Sequence, residues 1–114
     1  MKRTIAALAA GLAAFSLGAH AQAPSGNAAR GKSLFMGEMC WTCHGTEGYG
    51  GKYAPGLAPK PFPWDAFAKQ VRHPAKSMPA YASRYLTDRD LADIYAYVSS
   101  RPAAHKASTI PLLK

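Results

Sequence analysis

Cysteine is scarce in this sequence, and acid is scarcer than base. Only two cysteines occur in 114 residues, Cys40 and Cys43, and six acidic residues stand against fourteen basic ones. With one adjacent histidine and no second cysteine pair, the chain is one ligand short of a closed tetrahedral zinc site. No strand–helix–strand pattern surrounds the pair, which counts against a thioredoxin-like dithiol. Internal repeats and low-complexity segments are missing too, as are a basic stripe and an aromatic RNA-binding motif, so nucleic acid is not expected as a partner. A net charge of +8 at pH 7 then favours an acidic partner protein or an anionic membrane face, with association that weakens in salt.

What the chain does have is concentrated in Cys40-Trp41-Thr42-Cys43-His44, followed by Gly45. A C-x-x-C-H pentapeptide reads as a covalent haem attachment site. The two thiols lie three positions apart on one helical face, where each can add across a haem vinyl group. His44 is then carried beneath the iron. A neutral imidazole is a good axial ligand when its other nitrogen donates a hydrogen bond that fixes tautomer and orientation. Zinc, a redox pair and a chance match between two structural cysteines are the competing readings, and none accounts for all three reactive side chains.

The first 21 residues read as an export leader. Lys2 and Arg3 precede a mostly apolar run, Ile5 to Leu17, too short to span a bilayer comfortably, and Ala19-His20-Ala21 supplies a small-x-small cleavage pattern. Cleavage is expected after Ala21. A cut after Ala23 would leave Pro24 first, and an uncleaved anchor is the other alternative. The leader looks bacterial and the destination periplasmic, where reduced thiols can meet haem. Residues 22–114 then form one domain, with a core over about 27–101, a tail over 102–114 and no integral membrane span. Loss of the leader leaves twelve basic and six acidic residues, a net +6, which the two haem propionates would reduce by about two. Apolar burial at about 25 cal/mol per Å² makes a packed porphyrin worth on the order of ten kcal/mol, so the apo form is expected to be poorly folded.

Three longer helices are expected. Asn27 caps the first, from about Ala28 to Met36, and Gly37 ends it. Gly31 and Phe35 share one face, the first permitting close approach of another helix and the second giving it something to pack on. Trp64, Phe67, Ala68 and Val71 fall at i, i+3, i+4 and i+7 between Pro63 and Pro74, an amphipathic helical stripe. Thr87 and Asp90 resemble a capping box opening a last helix of about twelve residues, with Leu91, Ile94, Tyr95 and Val98 at helical spacing and Arg101-Pro102 closing it. Between His44 and Trp64, glycine and proline leave no room for a long helix. The tail carries Ile110, Leu112 and Leu113, which fold back or fray.

A second axial ligand is sought on the far side of the haem. Met78 sits beside Pro79 in a loop between two helices, where its thioether can point inward; such a ligand raises the reduction potential and blocks small molecules. Met36 and Met39 are too near Cys40 to reach the opposite face. His73 is the competing distal ligand.

The order Cys40-Trp41-Thr42-Cys43-His44, Pro55-Gly56-Leu57, Met78-Pro79-Ala80-Tyr81 and Leu91 to Val98 resembles a small bacterial class I mono-haem cytochrome c. The resemblance spans nearly all of residues 22–114 and implies an all-α fold around one covalent haem c, with the first and last helices crossing near Gly31, Phe35 and Tyr97. It also implies that the Pro55 carbonyl supports His44 and that Trp64, or with less support Arg72, lies near a propionate. The implied function is single-electron transfer between redox partners by a monomer, through a six-coordinate His44/Met78 haem and an acidic-partner docking face. Lys32, Lys52, Lys60, Lys69 and Lys76 are available for that docking. Two alternatives differ in class. One is the small haem subunit of a periplasmic oxidoreductase, such as a sulfur-compound or alcohol dehydrogenase, and the other is catalysis or gas sensing at an open iron.

Overall fold

Asn27 starts the first helix by accepting a hydrogen bond from the backbone N–H of Arg30 at 2.9 Å. This computed structural model describes residues 22–113; the expected leader over 1–21, and Lys114, lie outside the described residues. Four α-helices follow in order: α1 (Ala28–Gly37), α2 (Trp41–His44), α3 (Trp64–Arg72) and α4 (Asp88–Ser100). Among the described residues there is no strand, and no helix is long and apolar enough to cross a membrane.

The helix limits follow local chemistry. Pro63 precedes α3, and Pro74 forces His73 out of helix, so α3 stops at Arg72. Thr87 and Asp90 form a reciprocal capping box at the start of α4: the Thr87 hydroxyl accepts from Asp90 N, and Asp90 accepts from Thr87 N at 2.9 Å. Between α2 and α3 the chain holds itself by backbone bonds such as Leu57 N to Gly48 O at 2.8 Å.

α1 and α4 cross at a glycine notch. A Cβ at Gly31 would lie 1.9 Å from the Asp93 carbonyl oxygen, so only glycine lets the two backbones meet there. One turn on, the rings of Phe35 and Tyr97 stand 5.6 Å apart. Charge closes the other side of the same crossing. The Arg30 guanidinium pairs with both Asp90 and Asp93, and Asp93 also accepts from Asn27 N at 2.6 Å. Phe35, Phe67, Leu86, Leu91, Ile94, Tyr97 and Val98 are buried in one cluster around this crossing. Residues 102–113 are exposed and include two single-turn 3-10 helices, and Pro102 O accepts from the Tyr49 hydroxyl.

Asp90 gives the fold an acid limit. The Thr87 hydroxyl first, and the Arg30 guanidinium second, hold its carboxyl at about 2 against an ordinary value of 3.8. A depressed carboxylate stabilises the folded state above its unfolded pKa and loses that contribution as pH falls through the folded one. Stability of the haem-loaded protein to urea is therefore expected to hold from neutral pH to about 4 and to decline toward about 2. Asp90→Asn should be less stable at pH 7 and flatter across that window; equal acid slopes for the two proteins would count against this account.

Candidate functional site

Pro55 and His44 set the geometry. The His44 ring nitrogen Nδ1 lies 2.8 Å from the Pro55 carbonyl oxygen. A carbonyl only accepts, so the proton sits on Nδ1, and Nε2 keeps its lone pair. The imidazole is nearly buried and lines a cavity of about 440 Å³. The loop reaches this position through a close stack of two chain segments. Gly50, at φ +86, has no room for a side chain against the backbone of Gly56, and Gly50 N donates to His44 O at 2.7 Å. Pro55 is thereby held over the ring.

Cys40 and Cys43 form no disulfide, and both border the same cavity. Before haem is attached, burial first, then the nearby Glu38 charge, push the Cys40 thiol up to about 11. Cys43 is exposed at the cavity mouth. Met78 also lines the cavity, reached by a turn in which Lys76 takes φ +63. Much of the remaining lining is apolar, with Phe35, Leu57, Phe67, Leu91 and Ile94 in it.

The structure separates the other expected site residues. Trp64 does not line the cavity; its indole packs edge-on to Tyr95 at 5.5 Å and against Phe67, in the seam between α3 and α4. Arg72 is occupied elsewhere, donating to Tyr81 O at 2.8 Å and to Asp88 at 2.6 Å. His73 faces a separate shallow hollow beside Tyr81 and Asp88. Among the described residues no three His, Cys, Asp or Glu side chains group as metal ligands, which leaves the zinc reading without a ligand set.

Two residues that sequence reasoning passed over belong to the cavity. Tyr81 lines it and donates its hydroxyl to Glu38 O at 2.8 Å, tying the segment after Met78 to the turn before Cys40. Burial raises the phenol's pKa, so that donor stays protonated. Gln70 also lines the cavity, with Nε2 3.7 Å from Met78 Sδ. Its position three residues after Phe67 was the available signal.

These walls suit a flat, largely apolar cofactor with two thiol attachment points and a nitrogen donor: a sizeable apolar space, two thiols on one edge and one oriented imidazole. The family model described as cytochrome c oxidase, cbb3-type, subunit III matches residues 26–98. The chain belongs to this family. Among curated proteins, none matches it. As a c-type cytochrome domain it has the cytochrome c fold, carries one covalently bound haem c with its iron, and serves haem-based electron transfer with redox-partner proteins. Bound haem supplies a one-electron ferrous–ferric couple. The cytochrome's own residues supply a largely apolar lining, orient the His44 ring and direct its Nδ1–H at the Pro55 carbonyl oxygen.

Proposed function

We propose that this cytochrome is a periplasmic electron carrier, anchored to haem through Cys40 and Cys43 and ligated by His44 and Met78. One observation carries the reading: His44, with its tautomer set by Pro55, and the Met78 thioether line one apolar cavity together with both thiols. Pro55 acts as the supporting acceptor of the proximal histidine. Trp64 is half-buried in the seam against Tyr95 and is the proposed neighbour of a haem propionate. A thioether on the sixth position favours the ferrous form and shuts out small ligands, which suits a carrier rather than a catalyst. The charge excess of the chain without its leader, twelve basic residues against six acidic, suits acidic docking partners and association that weakens with ionic strength.

The deciding measurement is the visible spectrum of the haem-loaded protein, oxidised and reduced, with carbon monoxide added to the reduced form. The expected result is a low-spin spectrum with the weak far-red band of thioether coordination to ferric iron, and no rapid carbon monoxide binding. A missing band with ready binding would replace the carrier reading by catalysis or sensing at an open iron.

A second reading has its own support. Leu112 and Leu113, at 95% and 64% exposure, stand on the tail with Ile110, and exposed apolar side chains of this kind suit a fixed partner. On that reading the chain is the small haem subunit of a periplasmic oxidoreductase. Purification from the native host as a monomer favours the carrier, and co-purification with a larger enzyme favours the subunit.

A further inference from the structure

Gln70 spans the turn that presents Met78. It lies on α3 one turn after Phe67 and faces the cavity between α3 and the segment that follows it. Its side-chain oxygen Oε1 accepts from Ala75 N at 3.4 Å, while Nε2 is 3.7 Å from Met78 Sδ. A backbone N–H can only donate, so the carbonyl end of the amide belongs at Ala75 and the NH₂ end at the sulfur. The span between these two contacts includes Lys76 at φ +63, a conformation that residues with side chains adopt infrequently. One amide thus holds the backbone of the turn and touches the thioether it carries.

We propose that Gln70 is a positioning residue for Met78 that also raises the reduction potential by donating a hydrogen bond to its sulfur. The inference rests on the reading of Met78 as the sixth ligand. A thioether sulfur has two lone pairs and accepts weakly; one pair is enough for a metal, and the other remains for Gln70. Donation to sulfur withdraws electron density and weakens it as a ligand to ferric iron more than to ferrous iron. Hydrogen bonding to a metal ligand from its surroundings is one of the levers by which a protein tunes its metal.

The test is a redox titration of the haem-loaded full chain and its Gln70→Leu variant, each with its oxidised spectrum. Gln70→Leu is expected to lower the midpoint potential by about 40 mV, a shift of about fivefold in the ferrous-to-ferric equilibrium at roughly 59 mV per tenfold. The sign is diagnostic. Exchanging an amide for an apolar chain near a charged centre, with no lost bond to sulfur, disfavours the extra ferric charge and raises the potential. A rise or no change, with the thioether band present in the parent protein, overturns the role of Gln70 and leaves Met78 as ligand. A parent protein without that band overturns the Met78 assignment and this inference with it. If Gln70→Leu is not recovered with haem, Gln70→Val carries the same test of sign.

Discussion

Gly31→Ala is expected to remove most of the protein's stability, while the same change at Gly37, in the same helix, should be harmless. The added Cβ at Gly31 would sit 1.9 Å from Asp93 O and 2.4 Å from Asp93 C, both backbone atoms with no rotamer to escape into. At Gly37 nothing lies within 4 Å of the new atom. Helix propensity alone favours alanine over glycine by about 1 kcal/mol, so Gly37→Ala should be neutral to slightly stabilising. At Gly31 that gain is overwhelmed because α1 and α4 must move apart. Their separation would loosen the Phe35–Tyr97 contact and the Arg30 pairings together. A cost of about 4 kcal/mol or more is expected, at the upper end of single-residue effects and a large part of a domain's total of about 5–15 kcal/mol. Urea unfolding of the two haem-loaded variants checks this; equal midpoints would mean that the helices do not cross at Gly31.

Met78→Ala should leave haem attached and change what the protein does with it. Attachment depends on Cys40 and Cys43, in and beside α2, whereas Met78 stands in the loop between α3 and α4, so the holoprotein should form in comparable yield. The thioether band should vanish, and reduced protein should bind carbon monoxide readily. The potential should fall by a few tenths of a volt, within the span of about 0.8 V that axial ligation commands. Part of the fall reflects loss of the soft sulfur, and part reflects water entering the vacated space. A variant with an unchanged band and potential would assign the sixth position to another residue, and His73→Ala would then be the next substitution to make.

The elements of this fold were legible where chemistry is local. Asn27, Pro63, Pro74 and the Thr87–Asp90 pair mark helix ends through side chains that act within a turn or so of their own position, and the structure begins and ends its helices accordingly. The glycine notch was legible as a possibility, since Gly31 and Phe35 share a face, and the crossing with α4 supplies its partner. The site was legible in part. Cys40, Cys43 and His44 announce themselves by spacing, whereas Pro55 came from family resemblance and is placed by a loop with no periodic signal. Tyr81 reaches Glu38 across 43 positions through a side-chain-to-backbone bond, which leaves no trace in any local pattern. Trp64 shows the opposite difficulty. An aromatic residue at the head of an amphipathic helix can turn to a cofactor or to a neighbouring helix, and helical spacing carries no sign of the Tyr95 contact on one side of the ring.

The glycine notch also has a consequence in time. Its partner, Asp93, is synthesised well after Cys40 and Cys43, so a growing chain has α1 without anything to close against it. At about 5–20 residues per second, several seconds separate the appearance of the two thiols from that of the helix that locks the domain. If the chain is threaded across a membrane in that same order, as the proposed export requires, the thiols again arrive first, and the attachment segment stays accessible to whatever loads it until the last helix follows.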